Sequence, residues 1–232
     1  PSLVGSEMCI RDRFVPEEFL YIPTKGTIQY HPSLLPLHRG PSSINWPIIM
    51  GEKKTGLSIF WPDNGLDEGP ILLQKETQIS DSDTLGSVYF DRLFPMGVEA
   101  MVESVDLVRE GKAAKIVQDE SKATYESWCR KEDVEVVWSK PADEVSALIR
   151  GANPQPGAWT KHGDKVLQMF DCVKSTGKGT PGEVIAIDGE GITVARGSGA
   201  IVLQRVRPEG EKKLKAADFA ANSGLSVGTC FG

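Results

Sequence analysis

The sequence predicts an α/β protein in two parts, an α/β domain followed by a smaller, mostly β domain. Strand and helix patterns alternate from residue 14 to about residue 120, which favours a parallel sheet covered by helices. Beyond about residue 133 short β-prone runs are punctuated by glycine and proline, as in a small barrel or sandwich. The chain has 232 residues, of which 40% are hydrophobic and 25% charged, which is enough for two cores and typical of globular proteins.

The first part contains three β-prone runs bounded by turn signals. They span 27–30, 57–61 and 71–75, and the first stops at His31-Pro32. A short helix is predicted around 43–50, and a longer one from Thr84, after the capping sequence 80–83. We expect Pro95 to break or kink the longer helix. Beyond it, one apolar stripe runs at helical spacing through Val98, Met101, Val102, Val105 and Val108.

The second part begins after a charged, poorly patterned connection over 112–133, which indicates a domain boundary. A helix is predicted over 142–150. Four strands are then predicted over 165–170, 183–187, 192–196 and 201–206. Their spacing along the sequence is typical of a small β domain. We therefore predict one domain over 14–120, a linker over 121–133 and a second domain over 134–232. Residues 1–13 have no clear period and resemble a translated library adapter, so no part of the fold is predicted there.

The charge distribution argues against a nucleic-acid partner. The net charge is −6, and it lies entirely in residues 1–132, where 14 basic residues face 20 acidic ones, against 12 of each in 133–232. A nucleic-acid-binding domain would present an excess of basic residues to the phosphates. The four cysteines are far apart, which favours a reducing, cytoplasmic location. No apolar run approaches the roughly 18 residues of a membrane span, so no membrane partner is expected.

The two residues best placed for chemistry are His31 and Asp67. His31 ends the first strand, where ligands bind in open α/β sheets, and a histidine can act as an acid or base near neutral pH. Asp67 follows the second strand in a glycine-rich turn, where it could orient the imidazole. Each residue also has a purely structural interpretation. His31 can be a hydrogen-bonded histidine in a loop, and Asp67 can be an aspartate that stabilises a turn. Asp63 is an alternative acid, although its position favours capping of the turn.

Gln29 is a candidate for oxyanion stabilisation. It lies two residues before His31, so an extended strand places both side chains on the same face. An amide donor at a developing oxyanion contributes about 3 kcal/mol. A surface glutamine is an equally good interpretation. Around Ser33 no nucleophile elbow is found, and neither a dinucleotide fingerprint nor metal-ligand spacing is present, so no metal is expected.

Several motifs in order resemble the folate-dependent formyltransferase and formyl hydrolase family. The residues that carry the resemblance are Tyr30-His31-Pro32-Ser33-Leu34-Leu35-Pro36, Arg39-Gly40, Ile44-Asn45-Trp46, Phe60-Trp61-Pro62-Asp63-Asn64-Gly65-Leu66-Asp67-Glu68-Gly69, Pro156-Gly157-Ala158-Trp159-Thr160, Pro181-Gly182-Glu183-Val184 and Ala217-Asp218-Phe219. Within the family the chain is most similar to the hydrolase domains of 10-formyltetrahydrofolate dehydrogenases. The resemblance covers about 14–232.

The resemblance implies a doubly wound, Rossmann-like domain, an OB-like barrel and formyl transfer or hydrolysis with 10-formyltetrahydrofolate as the donor. It assigns catalysis to His31 and Asp67. The residues implied to line the folate pocket are Phe14, Val15, Pro16, Ser33, Leu34, Leu35 and Pro36, with Asp63 nearby. Transferases of the family carry asparagine at the position of Gln29. The family's sheet begins about 75–80 residues before Phe14, so the chain is expected to lack the first strands of the domain and to be unstable or prone to aggregate.

Two alternatives to this function stay open. One is methionyl-tRNA formyltransferase, for which transfer RNA would be the partner. Lys212, Lys213 and Lys215 form the one basic cluster in the sequence, and it is more typical of a solvated surface. The other alternative is a fragment that binds folate without catalysis.

Overall fold

The computed structural model describes residues 17–232, and these residues form two β-sheets with helices packed against them. The helices of the first part are α1 (Glu17–Leu20), α2 (Asn45–Ile49), α3 (Leu85–Ser87) and α4 (Phe94–Arg109), and its strands are β1 (Gln29–His31), β2 (Lys54–Phe60) and β3 (Ile71–Gln78). The second part contains α5 (Ala142–Gly151), β4 (Ala158–His162), β5 (Lys165–Ser175), β6 (Val184–Asp188), β7 (Gly191–Ala195), β8 (Ala200–Pro208), β9 (Leu214–Lys215) and α6 (Ala216–Ser223). The chain is a mixed α/β protein, as predicted.

The first sheet is antiparallel, so the prediction of a parallel sheet is wrong for the strands that the structure describes. Its order is β1-β2-β3, with Gln29 opposite Phe60 and His31 opposite Ser58. The alternation of patterns misled the prediction because α2 is not a crossover helix. It has five residues and packs against α5 of the second part, where Ile49 lies beside Gly151.

The long helix of the first part begins at the cap that the sequence predicts and passes through Pro95 without a break. Thr84 and Ser87 form a capping box, and a π-helical turn over Val88–Leu93 leads into α4. Pro95 directly follows the π-helical turn, where the Phe94 N–H bonds to the Tyr89 carbonyl five residues back, and this wider turn is where the helix accommodates the proline.

Helix α4 turns small residues toward the sheet. Gly97, Ala100 and Ser104 are buried, and a side chain at Gly97 would come within 2.7 Å of the Tyr30 ring. This close approach leaves much of the predicted apolar stripe on the outside. The exposed members are Val98, Val102 and Val105.

The second sheet has the order β4-β5-β8-β7-β6, with β9 paired to β8. All of its recorded strand pairs are antiparallel, and no ladder joins β4 to β6 within residues 17–232, so a closed barrel is not seen there. Its core packs α5 and α6 against one face of the sheet, with Ile149, Leu167, Met169, Ile201 and Leu203 fully buried.

The predicted connection over 112–133 is bound to the first part by backbone hydrogen bonds of residues within 116–126. Ile116 forms a two-bond bridge with Ile71, and Thr124 exchanges backbone hydrogen bonds with Pro36 and Arg39. Poor patterning in this segment therefore does not indicate a loose tether. Among the described residues, no helix is both long and apolar enough to cross a membrane.

Candidate functional site

The structure brings His31 and Asp67 together in a buried pair. Nδ1 of His31 lies 3.5 Å from Oδ2 of Asp67, and about nine-tenths or more of each side chain is shielded from solvent. Oδ2 also accepts a hydrogen bond of 2.9 Å from the backbone N–H of Gly40. An imidazole beside a buried carboxylate is an arrangement suited to proton transfer.

His31 and Asp67 come together through antiparallel strands, and not through the parallel sheet from which their proximity was predicted. Because β1 and β2 are antiparallel, Trp61 leaves β2 beside the start of β1, whereas His31 ends β1. The loop from Trp61 to Pro70 turns back toward the loop that follows β1. Two features permit this turn. Asp67 adopts φ +58°, which aspartate tolerates, and a side chain at Gly69 would lie 1.8 Å from the Trp61 carbonyl oxygen.

Both ring nitrogens of His31 face acceptors. Nε2 lies 2.9 Å from the backbone carbonyl oxygen of His38, and Nδ1 faces Asp67. A carbonyl only accepts, so Nε2 carries the proton in this contact. Burial lowers the pKa of His31, and the Asp67 carboxylate opposes that effect without overcoming it. The neutral imidazole is therefore the favoured form, and its proton lies on Nε2 because the 2.9 Å hydrogen bond to the His38 carbonyl is shorter than the 3.5 Å approach of Nδ1 to Asp67.

A polar network that sequence reasoning missed holds the Asp67 loop in place. The Gln118 side-chain amide donates 2.8 Å hydrogen bonds to the carbonyls of Asp67 and Gly69, and its Oε1 accepts from the fully buried guanidinium of Arg39. Arg39 also binds Glu120, and these hydrogen bonds raise its pKa above the usual value. The sequence feature that could have indicated this network is the arginine of the motif Arg39-Gly40, because no partner for its charge lies nearby in the sequence.

The loop that follows β1 rests on the first sheet through Ser58. The Ser58 hydroxyl donates to the Ser33 carbonyl at 2.7 Å and accepts from the Leu35 N–H at 3.0 Å. Gln74 on β3 donates to the same hydroxyl and to the Leu35 carbonyl. Leu35 packs into a small apolar cluster with Phe60 and Ile71. The hydrogen bonds of this loop wall are therefore supplied by Ser58 and Gln74, strand residues that no motif contains.

The remaining predicted site residues differ in their surroundings. Gln29 is exposed, two positions before His31 on β1, and no contact brings it to the pair. Asp63 closes its own turn by accepting from the Gly65 N–H, as its position favoured. Ser33 is buried and its hydroxyl donates to the Leu37 carbonyl, while Leu34 and Pro36 are half-buried. Phe14, Val15 and Pro16 lie outside the described residues.

No group of three or more histidine, cysteine, aspartate or glutamate side chains suited to a metal ion occurs in residues 17–232. The fold and the site together define a two-part α/β chain with a buried histidine–aspartate pair walled by loops. A formyl transferase profile matches residues 10–105, and a profile of the formyl transferase C-terminal domain matches residues 129–224. The chain belongs to the formyl transferase family.

Two relatives illustrate the range of that family. The human cytosolic 10-formyltetrahydrofolate dehydrogenase is 39% identical over 226 residues, an alignment that covers 93% of this chain and 25% of the dehydrogenase. Methionyl-tRNA formyltransferase of Syntrophus aciditrophicus is 37% identical over 222 residues, covering 95% of this chain and 71% of that enzyme. The chain thus spans about a quarter of the dehydrogenase and most of the transferase.

A solved structure shows the same fold. HypX from Aquifex aeolicus, crystallised in complex with tetrahydrofolic acid, superimposes with a TM-score of 0.73 over 87% of this chain and 36% of HypX. At 22% identity, this likeness establishes the fold alone.

Proposed function

We propose that this protein takes the formyl group of 10-formyltetrahydrofolate and passes it to water or to a small amine. The observation that carries the proposal is the buried pair of His31 and Asp67, with Nδ1 and Oδ2 3.5 Å apart. Family membership supplies the reaction class, because the dehydrogenase relative is named for this formyl donor. A cytoplasmic location stays a prediction.

His31 is proposed to act first as a base. Water attacks the formyl carbon, the C=O electron pair moves to oxygen, and Nδ1 of His31 takes the proton that the water loses. The favoured neutral form has its free pair on this nitrogen, since Nε2–H is held by the His38 carbonyl. The resulting imidazolium lies between that carbonyl and Asp67, which both stabilise positive charge.

His31 then acts as an acid. The tetrahedral intermediate collapses, the bond from carbon to N10 breaks, and the imidazolium returns its proton to N10. The products are formate and tetrahydrofolate. When an amine replaces water, the same steps give a formamide and tetrahydrofolate. The cycle starts from neutral His31 because burial favours the uncharged ring before substrate binds.

The folate pocket is proposed to lie along the loop wall over 33–36, with Asp63 at its edge. Phe14, Val15 and Pro16, which lie outside the described residues, are proposed to line it on the strength of the family resemblance. The fixed Ser33-to-Leu35 backbone supports this proposal, because a rigid wall positions a ligand at low entropic cost. Gln29 is proposed to donate to the oxyanion. Its exposure leaves the amide available to a ligand, and its strand face is that of His31.

The test is formate release from 10-formyltetrahydrofolate by the full chain, with water alone and with added amine acceptors. We expect formate and tetrahydrofolate in equal amounts, and loss of the signal in His31→Ala. The matched control is His162→Ala, since His162 packs against Phe219 and Phe231 in the second part. Equal turnover in wild type and His31→Ala would contradict the proposal.

One observation favours methionyl-tRNA formyltransferase as a second candidate. Arg205 on β8 pairs with Lys215 on β9, and the strand period places Arg207 and Lys213 on the same face. Lys213 Nζ lies 3.4 Å from the centroid of the Phe170 ring, and Arg207 covers the same ring. Four cations thus share one face although the second part is neutral overall, and such a face suits phosphates.

Binding of initiator transfer RNA at two salt concentrations distinguishes the two candidates. Our proposal expects weak binding at physiological salt, unchanged in the double variant Arg207→Ala/Lys213→Ala. Tight binding that weakens steeply with salt, and that this double variant abolishes, would favour the transferase instead.

A further inference from the structure

A second histidine, His38, is buried beside the pair without belonging to it. Its Nδ1 lies 3.1 Å from Oε2 of Glu126 and its Nε2 lies 3.0 Å from Oε1 of Glu52. Carboxylates only accept hydrogen bonds, so both contacts form when both ring nitrogens carry protons. His38 is thus held between two carboxylates, with His31 the other titratable group facing it.

The backbone of His38 is equally constrained. Its φ is +55°, a left-handed conformation that non-glycine residues adopt at an energetic cost. Its N–H donates 2.8 Å to the Thr124 hydroxyl, and its carbonyl oxygen is the one that binds Nε2 of His31. The left-handed turn therefore aims this carbonyl at the catalytic ring, and three side chains from other segments hold the turn.

We propose that His38 is a positioning residue, clamped between Glu52 and Glu126 so that its carbonyl keeps the proton of neutral His31 on Nε2. Nδ1 is thereby left as the basic nitrogen that faces Asp67. Without the clamp, the His38 carbonyl can turn away, and the His31 proton redistributes between the two nitrogens. A ring with its proton on Nδ1 cannot accept one there, so turnover falls while the substrate pocket is unchanged.

The consequence for turnover rests on the proposed function, whereas the position of the proton does not. His31 is therefore observed directly by nitrogen-15 NMR in the free full chain at about pH 8, with its signals assigned through His31→Gln. In the wild type we expect a protonated Nε2 and an unprotonated Nδ1.

The test variants remove the clamp at different points. His38→Asn keeps a residue type that tolerates positive φ but is too short to bridge both glutamates. Glu52→Ala removes the acceptor of a partly exposed partner and spares the His38 backbone, so that it tests the clamp even if His38→Asn folds poorly. Glu99→Ala, on the exposed side of α4, is the matched control.

In both test variants we expect His31 to populate both proton positions. We also expect kcat to fall about tenfold with KM changed less than about twofold, a smaller loss than that of the catalytic group itself. The wild-type His31 spectrum in both variants would overturn the inference, whatever the activity. A redistributed proton together with full activity in His31→Ala would sustain the inference and refute the proposed function.

Discussion

The backbone N–H of Gly40 donates to Oδ2 of Asp67, the oxygen that faces Nδ1 of His31. Gly40 thereby joins the loop after β1 to the loop after β2 at the one carboxylate oxygen that the histidine uses. The contact requires glycine, because φ is +103° and a side chain would approach the Glu126 carbonyl oxygen to 2.5 Å.

Gly40→Ala is expected to destabilise the protein by at least about 2 kcal/mol, since the left-handed backbone and the clash with a carbonyl both contribute. Gly51→Ala is the control. Its φ is +77°, but no atom of the described part of the chain lies within 4 Å of an added side chain, so only the backbone cost of about 1 kcal/mol applies. Urea unfolding measures both, and equal losses would show that the approach to Glu126 is unimportant.

Ser58→Ala is expected to cost about 1–3 kcal/mol, because it leaves the Leu35 N–H and the Gln74 amide without their acceptor. Ser104→Ala makes the same change at a buried hydroxyl on α4 that has no hydrogen-bond partner among residues 17–232. It should be neutral within about 0.5 kcal/mol or stabilising. An equal loss of unfolding free energy in the two variants, measured by denaturant unfolding, would contradict this prediction.

Gln118→Ala is expected to lower both stability and turnover. It removes the donors to the Asp67 and Gly69 carbonyls and the acceptor of Arg39, a loss of at least about 2 kcal/mol. Gln78→Ala on the exposed side of β3 should change stability by less than about 0.5 kcal/mol. Unchanged formate release in a folded Gln118→Ala protein would show that the network does not hold Asp67 for catalysis.

His31 is expected to make stability depend on pH. Its pKa in the folded protein lies below the value of about 6.5 that an unfolded chain has, because burial disfavours the charged ring. Between these two values the unfolded state binds more protons, so stability falls as the pH is lowered. Unfolding free energies of wild type and His31→Gln from pH 8 to pH 5 should therefore converge on acidification. Parallel curves, or a relative gain by wild type, would reverse the assigned direction.

The sequence predicted the existence of most elements because their signals are local. Residues that lie close together in the sequence determine the cap at Thr84, the helix α5 and the turn that Asp63 closes. The relative direction of the strands depends on contacts between residues that are far apart in the sequence. Whether β1 and β2 run parallel depends on where α2 packs, and its partner α5 lies about 100 residues away in sequence.

The candidate site was predictable in part for the same reason. The motifs indicated His31 and Asp67 as candidates, and the structure places Nδ1 of His31 3.5 Å from Oδ2 of Asp67. The side chains that support the pair came from positions without a motif, such as Gln118 in the poorly patterned connection over 112–133 and Ser58 inside a strand. A buried side-chain hydrogen bond between distant segments leaves no periodic signal in a single sequence, so these residues required the structure.

The measurement that tests the central claim most directly is kcat for formate release in His31→Ala, Asp67→Asn and the double variant, each shown to be folded by thermal unfolding. Because the two side chains act as one unit, we expect each single variant to lose at least about 100-fold and the double variant to lose little more. Wild-type kcat in either folded single variant, or losses that multiply in the double variant, would contradict a shared role for the pair.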